Sequence, residues 1–143
     1  MAKATDITTV GWGDGEPIAG TPFRQEVTAA QTEGRLVVLS VDMPVGLRVD
    51  EHVHDAEDQV TVVVEGTVGC RVDGVDHVAS AGGVLLAPRG SRHELWNAGD
   101  TTAKVLELYT PAGFEQVFIA AGARVAANAS ATGADYAARA EGR

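Results

Sequence analysis

This chain has a single cysteine, Cys70, and no other thiol. That excludes an internal disulfide framework and a zinc site built from thiolates, and Cys70 reads as a buried, inert side chain. Long apolar runs are missing too. Nothing approaches the roughly 18 apolar residues of a membrane helix, and residues 1–20 contain no run of signal-peptide length, so the expected location is cytoplasmic. Basic residues are scarce: 11 against 20 acidic ones, for a formal charge of −9. Such a surface repels phosphate backbones and anionic headgroups, so neither nucleic acid nor membrane is an expected partner. No internal repeat, nucleophile elbow, P-loop or dinucleotide-binding glycine pattern is present.

What the chain does have is a run of short β-branched segments. With 143 residues, 45% apolar and 22% charged, it is sized and composed as one globular domain with a real core. Residues 35–43 (RLVVLSVDM), 59–64 (QVTVVV), 69–72, 84–87 and 103–109 (AKVLELY) read as strands. Turn chemistry separates them: Glu65-Gly66, Asp73-Gly74, Gly82-Gly83, Pro88-Arg89-Gly90 and Ala98-Gly99-Asp100. Asp73-Gly74 between valines signals a two-residue hairpin. Many short strands without intervening helices imply an all-β antiparallel sandwich or barrel. Residues 114–127 (FEQVFIAAGARVAA) have apolar positions at helical spacing despite Gly122, and predict a C-terminal helix. Residues 1–20 read as a polar, Gly-rich arm, and 129–143 as a second short helix or a frayed tail. The organisation expected is therefore an arm and edge strand over 1–33, a β-barrel over 34–111, and a helix and tail over 112–143.

Two of the four histidines sit in His52-Val53-His54. On a strand, residues i and i+2 share a face, so both imidazoles can reach one point. An acidic loop follows, and a hairpin there would bring Gln59 back beside them. His93 comes just after Pro88-Arg89-Gly90, a turn able to aim the next strand inward. His77, beside the Asp73-Gly74 hairpin, has no such partner and reads as a surface or hydrogen-bonded residue. In register with Gln59, Thr61 and Val63 point inward; in register with His93, so do Leu95 and Asn97, whereas Glu94 and Trp96 face outward.

Gly46, His52-x-His54, Gln59 and Gly66 lie at spacings that resemble the first cupin motif. Gly82, Pro88-x-Gly90, His93 and Asn97 match the second at every fixed position. On these residues the chain resembles the cupin superfamily over roughly residues 34–118. It is most similar to single-domain quercetin-dioxygenase-like proteins, whose segment after the last core strand resembles Thr110-Pro111-Ala112-Gly113-Phe114-Glu115. The resemblance implies a double-stranded β-helix, or jelly-roll barrel. It also implies one divalent transition metal (zinc, nickel, iron, manganese or copper) on His52, His54, Gln59 and His93, a pocket that includes Thr61, Val63 and Leu95, a small hydrophobic oxygenated substrate, and a homodimer.

One departure bears on the chemistry. Most cupins carry glutamate where this chain has Gln59. Glutamine is neutral, binds through its carbonyl oxygen and takes no proton at neutral pH. Such a site is more Lewis-acidic and holds its ion less firmly, so Gln59→Glu is expected to tighten metal retention. A base would then come from Glu57, Asp58 or Glu94, and a one-residue shift would make Asp58 the fourth ligand. The resemblance implies a quercetinase-like dioxygenase. The missing carboxylate suits a redox-neutral isomerase, lyase or polyketide cyclase, and a non-catalytic small-molecule binder is the third reading.

Overall fold

A computed structural model describes residues 11–127. The expectations for residues 1–10 and 129–143 lie outside that range. Ten strands and one helix follow in order: β1 (Glu16–Pro17), β2 (Phe23–Val27), β3 (Val37–Met43), β4 (Arg48–His52), β5 (Asp58–Glu65), β6 (Thr67–Val72), β7 (Val75–Ser80), β8 (Val84–Ala87), β9 (His93–Asn97), β10 (Ala103–Thr110) and α1 (Glu115–Ala127).

The strands form two antiparallel sheets. One has six strands in the order β1-β2-β3-β10-β5-β8, and the other has four in the order β4-β9-β6-β7. The first sheet needs crossovers between strands distant in sequence, which makes the pair a jelly roll. The core lies between the sheets and is built by alternation. Leu39, Val41 and Met43 of β3 face inward with Val63 of β5, Val105 of β10, Val68 and Cys70 of β6, and Leu95 of β9. The Cys70 thiol is buried there, and desolvation pushes it up to about 11, so it stays protonated and inert as expected.

The local signals explain several joints. Val72 pairs with Val75 across Asp73 and Gly74, both at positive φ (47° and 82°), the backbone that a two-residue primed turn demands. Gly69 is close-packed: a Cβ there would lie 2.3 Å from the Trp96 ring, which crosses it on the outer face with the Arg48 guanidinium 4.7 Å above. Residues 11–20 are less loose than the sequence implies, because Glu16–Pro17 pairs with β2 and Ile18 is buried.

α1 packs across one end of the barrel. Gly122 permits this approach, since a Cβ there would fall 2.2 Å from the Ala19 carbonyl oxygen. Phe118 stacks on Phe23 of β2 with ring centroids 4.3 Å apart. No described helix is long and apolar enough to cross a membrane.

Candidate metal centre

His52 ends β4, and its Cα pairs with that of His93 at the start of β9. His54 lies two residues beyond His52, past the end of the strand. Its carbonyl accepts the Gly90 N–H at 3.0 Å, so the Pro88–Gly90 turn that precedes His93 also fixes His54. The ligand atoms that His52, His54 and His93 can offer all lie within 4.8 Å of one another. His54 and His93 are buried, and His52 is partly so.

Each imidazole is oriented from behind. The Nδ1–H of His52 donates to the Asp50 carbonyl (2.8 Å), that of His54 to the Glu57 carbonyl (2.9 Å) and that of His93 to the Ser91 carbonyl (3.2 Å). A carbonyl can only accept, so the proton of each neutral ring sits on Nδ1 and the lone pair on Nε2. Burial favours the neutral form of His93 and His52. It lowers His93 to about 4, helped by the other two histidines, and lowers His52 for the same leading reason.

Gln59, inward-facing on β5, completes the cluster. Its Oε1 lies 3.0 Å from His54 Nε2 and 3.1 Å from His93 Nε2. With neutral rings these are lone pairs facing lone pairs, with no proton between them. A cation shared among them turns that repulsion into coordination, so the donors present fit a divalent transition metal. Imidazole and amide oxygen suit several such metals.

Aromatic rings cover one side of the cluster. The Phe114 ring is parallel to that of His52 (5.6 Å, 2°) and lies 4.4 Å from that of His54, while Tyr109 and Phe118 pack behind it. The chain has only seven aromatic residues (three Phe, two Tyr, two Trp), and four of them gather at this end of the barrel. The cavity beside the cluster is about 20 Å³, room for a single water, between the apolar side chains of Met43, Val49, Leu95 and Phe118 and the polar ones of His52, Gln59 and Glu107.

A family model described as a cupin domain matches residues 39–109, which span both histidine motifs and the strands between them. The chain belongs to the cupin superfamily. Three solved structures share its fold. The cupin domain of Schizosaccharomyces pombe Cnp3 has a TM-score of 0.58 at 17% identity, covering 66% of each chain. A predicted oxalate decarboxylase of Thermotoga maritima has a TM-score of 0.60 at 20% identity, covering 63% of this cupin and 79% of that chain. KdgF of a Halomonas species has a TM-score of 0.57 at 22% identity, covering 66% and 84%. The tetracenomycin polyketide synthase protein TcmJ of Streptomyces glaucescens is 30% identical over 71 residues, 50% of this cupin. The matched segment spans about half (48%) of that relative's length.

Within this cupin the expected site residues fall into two groups. His52, His54, His93 and Gln59 converge, and Leu95 lines the cavity. Thr61 and Val63 face inward as expected, but Thr61 is turned onto Glu107 and Val63 is packed in the core, so neither lines the cavity. Asp58 is turned away. Its carboxylate takes the Arg89 backbone N–H at 2.9 Å and the guanidinium at 3.3 Å, and the backbone bond leads in lowering its pKa. That geometry corrects the expectation of Asp58 as fourth ligand or base. Glu57 lies on the Nδ1 side of His54. Its own carbonyl holds His54 Nδ1, and its carboxylate lies 3.8 Å from that same nitrogen, on the side opposite Nε2. Glu94 faces outward between Arg48 and Arg71, each at 3.0 Å. Ser91 is a turn residue, its hydroxyl donating to the Pro88 carbonyl. His77 is exposed on β7.

The residue that the sequence reading missed is Glu107, inward-facing on β10 and only 2% exposed. Its Oε2 accepts from Gln59 Nε2 at 2.9 Å and from Thr61 Oγ1 at 2.6 Å. Burial pushes its carboxyl up to about 7, against those two hydrogen bonds.

Proposed function

We propose that this cupin binds one divalent transition metal through His52, His54, His93 and Gln59, and that it catalyses a redox-neutral reaction on an enolisable, polyketide-like aromatic molecule. One observation carries the reading: the converging donors are three imidazole nitrogens and an amide oxygen, all neutral. When bound to such donors, the ion keeps its full charge and polarises a substrate carbonyl or enol. The protein's own residues do the rest. The backbone carbonyls of Asp50, Glu57 and Ser91 hold the rings in one tautomer. Phe114 offers an aromatic face beside the histidines, suited to stacking a planar ring. The cavity beside the donors is small, and Phe118 of α1 forms part of its wall. The similarity to a polyketide synthase protein supports the substrate class.

The second reading is a quercetinase-like dioxygenase, favoured by the same apolar, aromatic mouth, which suits a flavonol equally well. Dioxygen uptake separates the two. With zinc- or nickel-loaded protein and a synthetic aryl triketone, product should form at the same rate with and without oxygen. Uptake of one dioxygen per turnover, with a triketone or with quercetin, would reject the redox-neutral reading.

A further inference from the structure

The side chain of Gln59 has two unlike ends, and a metal ion can use only one. The amide oxygen carries lone pairs, while the nitrogen carries only protons. Rotation about the last side-chain torsion is soft, so nothing intrinsic to glutamine selects which end faces the histidines.

Glu107 removes that choice. Its Oε2 lies 2.9 Å from Gln59 Nε2, and a carboxylate oxygen accepts hydrogen bonds. The nitrogen is thus held toward Glu107 and the oxygen toward His54 and His93, at 3.0 and 3.1 Å. Turning the amide over would set oxygen against carboxylate and N–H against the metal position. Thr61 fixes Glu107 in turn, donating to the same Oε2 at 2.6 Å, and the two residues are register partners across β5 and β10. The placement is costly in itself. Glu107 is 2% exposed among inward positions otherwise filled by Ala103, Val105 and Tyr109, where an aliphatic residue would pack without desolvating a charge.

We propose that Glu107 is the positioning residue of the metal site. It orients Gln59 for coordination, because its Oε2, already held by the Thr61 hydroxyl, accepts the Gln59 Nε2–H and leaves Oε1 facing His54 and His93. Gln59 and Glu107 then act as one unit, standing where most cupins use a single glutamate. This inference rests on the metal-site reading above.

Co2+ binding to the full chain tests it by calorimetry and visible absorption. The variants are Glu107→Leu, which keeps the volume and removes the acceptor, Gln59→Ala, and the double variant. Glu107→Leu should lose affinity by about 10- to 100-fold. Its absorption band should move to that of Gln59→Ala, and the double variant should bind no more weakly than the weaker single one, because both changes remove the same contact. A merely structural role would leave the band in place and give additive losses; either result, or an unchanged affinity, overturns the proposal. If the wild type itself takes up no Co2+, the metal-site reading falls, and this inference with it. Should Glu107→Leu fail to fold, the exchange Gln59→Glu/Glu107→Gln carries the test. It moves the carboxylate to the ligand position and should bind Co2+ at least as tightly as the wild type; a loss beyond about tenfold overturns the inference.

Discussion

Replacing Gln59 by glutamate looks from the sequence like the simple gain of an anionic ligand. The structure makes it something else, because the new carboxylate would meet Glu107 where Gln59 Nε2 now donates at 2.9 Å. Two charges about 3 Å apart at an effective dielectric of 20 repel by roughly 5 kcal/mol. The metal-free pair should therefore keep one shared proton well above the ordinary carboxylate range. An unfolded chain holds no such proton there, since its glutamates titrate near 4.5. A folded-state pKa raised this way contributes stability that is complete below the unfolded value and drains away as pH rises through the folded one. The wild type should behave in the same way through Glu107, which burial raises from 4.5 to about 7, so its decline should level off above neutrality. The variant should go on losing about 1.4 kcal/mol per pH unit. Between about pH 7 and pH 8.5 it should lose roughly 1.5 kcal/mol more than the wild type. Urea denaturation of chelator-treated protein across that range measures the difference. Parallel curves for the two proteins would mean that the two side chains do not meet, and would refute the placement of Glu107 behind Gln59.

His93→Ala should abolish stoichiometric Co2+ or Zn2+ uptake, whereas His77→Ala, on the exposed face of β7, should leave it unchanged; elemental analysis of dialysed protein reads both. Gly69→Ala should cost about 1–3 kcal/mol in chemical denaturation and alter Trp96 fluorescence, because the added methyl would lie 2.3 Å from the indole. Phe118→Ala should cost about 3–5 kcal/mol, since it removes a buried ring stacked on Phe23.

The parts of this fold that could be read from the sequence are those where local chemistry and tertiary structure agree. β8 occupies residues 84–87 as expected because Gly82-Gly83 and Pro88 bracket an aliphatic run with no freedom to extend. The Asp73-Gly74 hairpin forms because both residues accept positive φ. The histidines converge because spacing alone puts His52 and His54 near one another, and the Pro88–Gly90 turn ties His54 to the start of β9. Glu107 escaped notice for an equally physical reason. In AKVLELYT both parities carry apolar residues, Val105 and Tyr109 on one and Leu106 and Leu108 on the other, so the pattern does not say which face is inside. A glutamate between two leucines then reads as solvent-facing. Only its pairing with Thr61, itself in phase with Gln59, reveals it. β7 was not recognised as a strand because VDHVAS is exposed along nearly its whole length; cross-strand pairing with β6 forms it, with no pattern of its own. Asp58 and Glu57 could not be sorted by sequence either. Their directions depend on Arg89 and on His54 Nδ1, partners fixed only when the barrel closes.

Phe114 comes from the stretch that follows the last barrel strand, outside both histidine motifs, yet it covers the histidines. The converging histidines and the ceiling above them are thus encoded in separate stretches of chain. Exchanging the dozen or so residues after Pro111 would re-tailor what the enclosure admits while leaving its anchoring side chains untouched. In a protein built this way, new ligand preferences are most cheaply found by varying the ceiling.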